Sequence, residues 1–210
     1  MTRKKIMIID YGMGNLASVA NALEFLSYVP IVSSKKEDIL NADAFILPGV
    51  GGFPEAIKRF NEIGIKEELN IQVLNKGKPF LGICLGMQLI ALDSIEYGLH
   101  NGLGWINGHV VRLEGNGSLK IPHVGWNDIQ IRNKHPLFAN IDQGGTYYFD
   151  HSYHLKCDSA CVIATCSYGE DIVVAIQKGN IFAAQFHPEK SQVNGLKFLR
   201  NFLNFVEAQG

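Results

Sequence analysis

Two short segments of this 210-residue chain carry residue types that do chemistry together. The first is Phe80-Leu81-Gly82-Ile83-Cys84-Leu85-Gly86-Met87-Gln88, an apolar strand-like run, a Gly-x-Cys-x-Gly turn and the start of a helical pattern. Glycines two positions either side of the cysteine suit a strand-to-helix turn too tight for side chains there, which lifts the thiol out of the sheet. Backbone N–H groups at the helix start favour thiolate over thiol. The N–H of Leu85 would point at an oxyanion formed on a substrate. A free cysteine is commonly a small buried core residue. Paired glycines at a strand–helix junction favour a nucleophile instead.

The second segment is Phe186-His187-Pro188-Glu189, which follows the apolar run Ile181–Phe186. Pro188 biases His187 towards an extended conformation. Residues two apart in an extended segment point the same way, so Glu189 can reach the His187 ring and fix its tautomer. Cysteine, histidine and an orienting carboxylate make a triad by role. Both segments lie at the C-terminal ends of expected strands, the edge where open α/β sheets place their sites.

Three other clusters invite chemical readings. Pro48-Gly49-Val50-Gly51-Gly52 also follows a strand-like run and offers a second oxyanion donor; without a following Gly-Lys-Ser/Thr it is not a P-loop. Gly12-x-Gly14-x-x-Ala17 meets the pattern of a dinucleotide-binding turn, which makes an NADP-binding Rossmann oxidoreductase the rival from another class. That rival leaves Cys84 and His187 without a role. His154, Cys157, Cys161 and Cys166 lack the paired spacing of a zinc site, so no metal is expected.

These segments need elements to hold them. Ile6–Ile9, Val29–Val32, Ala44–Leu47 and Phe80–Ile83 read as buried strands. Helical patterns lie between them: Leu16 to Leu26, a helix opening near Pro54, and another from about Met87. Apolar strands alternating with helices imply a mostly parallel sheet covered on both faces. The second half reads as antiparallel: a hairpin at Asn107-Gly108, then runs at Val124–Ile131, Thr146–Phe149, Val162–Cys166, Ile172–Gln177 and Ile181–Phe186. A turn at Lys178-Gly179-Asn180 joins the last two, and Leu196 to Val206 forms a closing amphipathic helix. The expected architecture is one α/β domain over residues 1–210 with an antiparallel extension.

Composition agrees with a globular, non-membrane protein. Apolar residues make up 47% and charged residues 19%, which excludes a disordered chain. With 19 Lys+Arg against 20 Asp+Glu, no electrostatic case for nucleic acid exists. The apolar start Ile6–Ile9 is too short for a signal sequence and the four cysteines are too few for a disulfide scaffold, so a cytoplasmic protein is expected.

The two chemical segments together resemble the class I, triad-type glutamine amidotransferases. Asp10-Tyr11-Gly12-Met13-Gly14-Asn15, Leu47-Pro48-Gly49-Val50-Gly51, Pro122-His123-Val124-Gly125-Trp126-Asn127, His151-Ser152-Tyr153 and Gln185 through Ser191 narrow the likeness, over the whole chain, to glutaminase subunits of imidazole glycerol phosphate synthase. The resemblance implies a three-layer fold and a reaction without cofactor: Cys84 attacks the glutamine amide, His187 protonates the departing ammonia, Glu189 orients His187, and water cleaves the thioester. It assigns the oxyanion to the backbone of Gly49, Val50 and Gly51 with Leu85, and glutamine binding to Gln88, His151, Ser152 and Tyr153. It further implies a heterodimer with a (β/α)₈ cyclase subunit, which uses the ammonia to make imidazole glycerol phosphate and AICAR in histidine biosynthesis. Asn15, Trp126, Tyr148 and Lys190 correspond to positions at that interface. Asp150, His154 and the stretch Ser94 through Ile106 depart from the usual pattern and look more like paralogues that feed ammonia to a sugar amidotransferase making surface polysaccharide, the alternative partner.

Overall fold

All four residues of Ile6–Ile9 (β1) are buried, Ile6 and Ile8 against one apolar cluster, Met7 and Ile9 against another. Successive strand side chains point to opposite faces, so a strand with no polar face must be covered on both. The computed structural model, which describes residues 3–115, 119–143 and 145–209, has that covering.

After β1 come α1 (Leu16–Phe25), β2 (Ile31–Ser33), α2 (Lys36–Asn41), β3 (Ala44–Gly49), α3 (Phe53–Glu62), α4 (Lys66–Asn70), β4 (Phe80–Cys84) and α5 (Leu85–Leu89). Short strands follow: β5 (Asp93–Ser94), β6 (His100–Asn101), β7 (Gly108–Arg112), β8 (His123–Asp128), β9 (Gln130–Ile131), β10 (Thr146–His151) and β11 (Tyr153–Cys157). The chain closes with β12 (Val162–Tyr168), β13 (Glu170–Lys178), β14 (Ile181–Ala184) and α6 (Gln192–Glu207).

The main sheet has eight strands in the order β2-β1-β3-β4-β14-β13-β12-β9. From β2 to β14 the neighbours are parallel, and from β14 to β9 they are antiparallel. The expected extension is therefore the far edge of the same sheet. Val19 and Leu23 of α1 join Phe198, Leu199 and Phe202 of α6 on one face; Phe53 and Phe60 of α3 with Leu69 of α4 cover the other. This is the expected three-layer α/β arrangement. A β8–β10 ribbon and a small β11-β7-β5-β6 sheet stand beside it. Among the described residues no helix is long and apolar enough to cross a membrane.

Several expectations need correction. Asn107-Gly108 is not a hairpin turn, because Leu103 to Asn107 forms no strand and Gly108 instead begins β7. A Cβ on Gly108 would lie 2.7 Å from the Cβ of Cys157, so glycine serves close strand approach there. The strand expected at Val29–Val32 starts only at Ile31, after Pro30, with Val29 exposed. The run Val124–Ile131 is divided between β8 and β9, which belong to different sheets. The run Ile181–Phe186 leaves the sheet after Ala184, and the short strands β5 and β6 carried no sequence signal long enough to read.

Candidate active site

Cys84 ends β4 with φ 53° and ψ −109°, a conformation that side chains rarely adopt. Its surroundings impose that geometry. A Cβ on Gly82 would lie 2.8 Å from the Gly86 carbonyl oxygen, and one on Gly86 only 1.8 Å from the Leu47 carbonyl oxygen. Helix α5 starts at Leu85, two residues earlier than its apolar pattern suggests, and is five residues long. The first N–H groups beside the sulfur, more than a long helix dipole, are thus what the turn supplies. Gly86→Ala should destabilise the fold by about 3 kcal/mol or more, at the upper end of ordinary overpacking. Denaturant melts of the two proteins check this; an unchanged midpoint would mean the turn relaxes freely.

Parallel pairing of β14 with β4 sets Ala184 opposite Ile83, so the residues just past β14 come up beside Cys84. The His187 N–H donates to the Tyr148 carbonyl at 2.9 Å, and a 3₁₀ turn over Pro188–Lys190 swings Glu189 back. His187 is extended as expected, but the turn rather than an extended Glu189 makes the contact: Nδ1 to Oε1 is 2.8 Å. Both side chains are almost wholly buried. Burial disfavours a charged ring, yet the hydrogen-bonding and charge of Cys84 and Glu189 outweigh it and raise the His187 pKa to about 10. An imidazolium then faces the sulfur at neutral pH.

A cavity of about 230 Å³ opens over Cys84 and His187, lined by Val50, Gly51, Leu85, Gln88, Glu96, Pro122 and Asp150 through Tyr153. All the expected glutamine-binding residues therefore meet at one place. Gln88 Nε2 donates to the Tyr153 carbonyl at 2.8 Å and to Gln185 Oε1 at 3.1 Å. Gln185 is fully buried and its Nε2 lies 3.7 Å from the Cys84 sulfur, which is 3.8 Å from the Asp150 carbonyl. Neither Gln185, named from the sequence only as the start of a shared segment, nor Glu96 was given a role at the site from the sequence. The signal for Gln185 was a lone amide inside an apolar run; Glu96 sits in an irregular loop with none.

His151 lines the pocket wall. Its Nδ1 is 2.9 Å from the Tyr153 carbonyl and its Nε2 is 3.0 Å from His123 Nδ1, so both ring nitrogens have partners. His123 is stacked between Phe149 and Tyr168. Burial lowers the pKa of His123 to about 4 and of His151 to about 3, and the buried His154 falls to about 4. Groups that are neutral when folded and titrate near 6.5 when unfolded bind more protons unfolded. The contribution of these three groups should be full above pH 6.5 and fall as the pH drops towards about 4 and below, whereas His187, raised to about 10, contributes in the opposite sense and its share is lost as the pH rises from 6.5 towards 10. Denaturant midpoints at a series of pH values test this, and His123→Gln should flatten the slope.

Gly49 ends β3 directly opposite Cys84 on β4. The next two residues rim the cavity, Val50 half-exposed and Gly51 at φ 97°. Only Gly51 of the two flanking glycines takes a left-handed conformation. Gly49 is needed for close packing, since its Cβ would lie 2.8 Å from that of Leu85.

Trp126, Tyr148 and Lys190 form one surface group beside His187. Trp126 and Tyr148 are paired across the β8–β10 ribbon with rings 6.0 Å apart, and Lys190 Nζ lies 5.4 Å over the Tyr148 ring. Helix α1 packs against the Pro188–Lys190 turn, which brings Asn15 to the same end. Asn15 caps that helix, its side chain accepting from the Ser18 N–H at 3.4 Å. The Gly12–Gly14 loop, by contrast, borders a hollow holding Asp10, Glu55 and Glu62, with Arg59 engaged by Glu55 and the Gly12 carbonyl. Three carboxylates make a poor pyrophosphate cradle. Among the described residues no three His, Cys, Asp or Glu side chains are grouped to hold a metal ion.

A strained cysteine at a strand-to-helix turn of a doubly covered sheet, beside a buried His–Glu pair, defines a class, and the family described as "Glutamine amidotransferase class-I" matches residues 7–205. The chain belongs to that family and is an enzyme of the glutamine amidotransferase class. Solved structures share the fold: a glutamine amidotransferase at 21% identity, TM-score 0.74, covering 96% of this chain and 98% of the other, and PurLQS from Thermotoga maritima at 20%, TM-score 0.73, covering 97% and 99%. Within the family, the chain groups with proteins named imidazole glycerol phosphate synthase subunit HisH. The Geobacter sulfurreducens protein is 46% identical over 94% of this chain and 97% of its own length; a Campylobacter jejuni relative, subunit HisH 1, is 48% identical over 94% and 98%.

Proposed function

We propose that this chain hydrolyses glutamine to glutamate and ammonia with Cys84 as nucleophile, His187 as proton carrier and Glu189 as the residue that orients it. The convergence of a strained cysteine, a buried His187–Glu189 pair and an amino-acid-sized cavity carries this reading. The Cys84 sulfur adds to the side-chain amide carbon, and the oxyanion is held by the Leu85 N–H and the backbone of Gly49, Val50 and Gly51. His187 protonates the departing nitrogen, leaving a glutamyl thioester; water, giving its proton to His187, then cleaves that thioester. Gln88, His151, Ser152 and Tyr153 border the bound glutamine, and the Glu96 carboxylate suits its α-ammonium.

The ammonia passes to a (β/α)₈ cyclase subunit, in a cytoplasmic complex making imidazole glycerol phosphate and AICAR for histidine biosynthesis. Support comes from the HisH names of the relatives and from the Trp126, Tyr148 and Lys190 group beside His187. The exposed Asp150 next to Cys84 favours the second reading, ammonia supply to a sugar amidotransferase. Mixing the chain with each partner and its acceptor, and measuring glutamate and aminated product, tests both. Product with the cyclase is expected; product with the sugar enzyme alone would reassign the pathway.

Control of hydrolysis would lie at the oxyanion loop. Rotation of the peptide beside Gly51 would replace a carbonyl by an N–H donor, and partner binding would favour the donor state. One such donor is worth roughly 10²–10³ in turnover. Valine at position 51 would be strained at φ 97° and its Cβ would press on the Met13 Cε at 2.9 Å. Gly51→Val should therefore depress partner-stimulated glutamate release more than the basal rate. Full activity of the lone wild-type chain would exclude the switch.

A further inference from the structure

Two cysteines without a part in the glutaminase chemistry lie side by side at a junction of sheets. Cys157 closes β11 in the small sheet; Cys161 ends the 3₁₀ turn Ser159–Cys161 that leads into β12 of the main sheet. Their sulfurs are 3.4 Å apart, and both thiols are free and half-buried. Asp158 shapes the turn between them: its side chain accepts from the Ala160 N–H at 2.9 Å and its carbonyl accepts from the Cys161 thiol at 3.0 Å. Gly108, opposite Cys157 on β7, packs against the Cys157 Cβ and backs it from the other side.

We propose that Cys157 and Cys161 form a thiol-modification site, which a low-molecular-weight disulfide such as glutathione disulfide converts to a reversible intramolecular disulfide. Cys161 is the attacking group. The hydrogen bond from Cys157 lowers the Cys161 pKa to about 7 against the effect of burial, while the same bond and burial push Cys157 upward. A partly exposed thiolate beside a resolving thiol is the arrangement of redox-responsive cysteines. The Cys161 thiolate attacks one sulfur of glutathione disulfide, forming a mixed disulfide and expelling glutathione thiolate. Cys157 loses its proton and attacks the Cys161 sulfur, expelling the second glutathione thiolate. Two protein thiols are oxidised, one glutathione disulfide is reduced to two glutathiones, and the two thiol protons go to these. Cys166 does not compete, being fully buried with its pKa raised to about 12 by burial. The bond would clip the small sheet to the main one through β11, whose other end holds Gln88 by the Tyr153 carbonyl.

The test uses the full chain in glutathione redox buffers near neutral pH, with alkylation of remaining thiols and peptide mapping. A Cys157–Cys161 cross-link that dithiothreitol reverses is expected, with a higher unfolding temperature for the oxidised form. Cys157→Ser should trap glutathione on Cys161 as a mixed disulfide that cannot resolve. Glutathione retained on Cys161 of the wild-type chain without a cross-link, or no modification of either thiol, overturns the proposal.

Discussion

Replacing Cys84 with alanine should lower glutamine hydrolysis by about 10⁴-fold or more while leaving the fold in place. Loss of the sulfur removes the thioester path. Alanine keeps a Cβ, so the backbone at φ 53° is no more strained than before, and the truncated side chain is small. Circular dichroism and melting should therefore change little. A glutamine-like alkylating agent should label Cys84 and leave Cys157, Cys161 and Cys166 unmodified. Turnover kept in the alanine variant, with labelling elsewhere, would place the nucleophile at another cysteine.

Much of this site was legible because its chemistry is packaged in short motifs whose backbone demands are local. Gly82 and Gly86 announce the turn because no side chain fits there, and Pro188 announces the extended His187 through its own ring sterics. The parallel core was legible for a different reason: β1, β3 and β4 have no polar face at all. Legibility failed where tertiary packing chose the residue. Gly108 looked like a turn glycine but answers to Cys157, a neighbour distant in sequence. Gln185 looked like part of a strand, yet its amide bridges Gln88 and Cys84.

His187→Ala should reduce glutamine-dependent turnover by about 10²–10⁴-fold, the usual worth of a positioned acid–base group. Here the loss has two sources: the proton carrier goes, and so does the imidazolium whose pKa stands at about 10 beside Cys84. With the partner subunit present, excess ammonium at alkaline pH should restore amination of the acceptor, because the partner needs only ammonia. The paired measurements are glutamate release and acceptor product, with glutamine or with ammonium. A complex that stays inactive with ammonium would show that His187 serves assembly or acceptor chemistry. In wild type, glutaminase activity should persist through neutral pH and decline as the ring deprotonates near pH 10.

The pairing of β14 with β4 also makes this enzyme a gauge of its own folding. Cys84 and Gln185 are 101 positions apart in sequence, and they meet only when β14 settles between β4 and β13 with Ala184 opposite Ile83. A slip of two residues keeps every side chain on its proper face but shifts the strand by about 6.6 Å. Such a chain would show native-like circular dichroism and a buried core, and no turnover. Catalysis recovered after dilution from denaturant thus times the closure of a loop of 101 positions, a slow kind of contact to form.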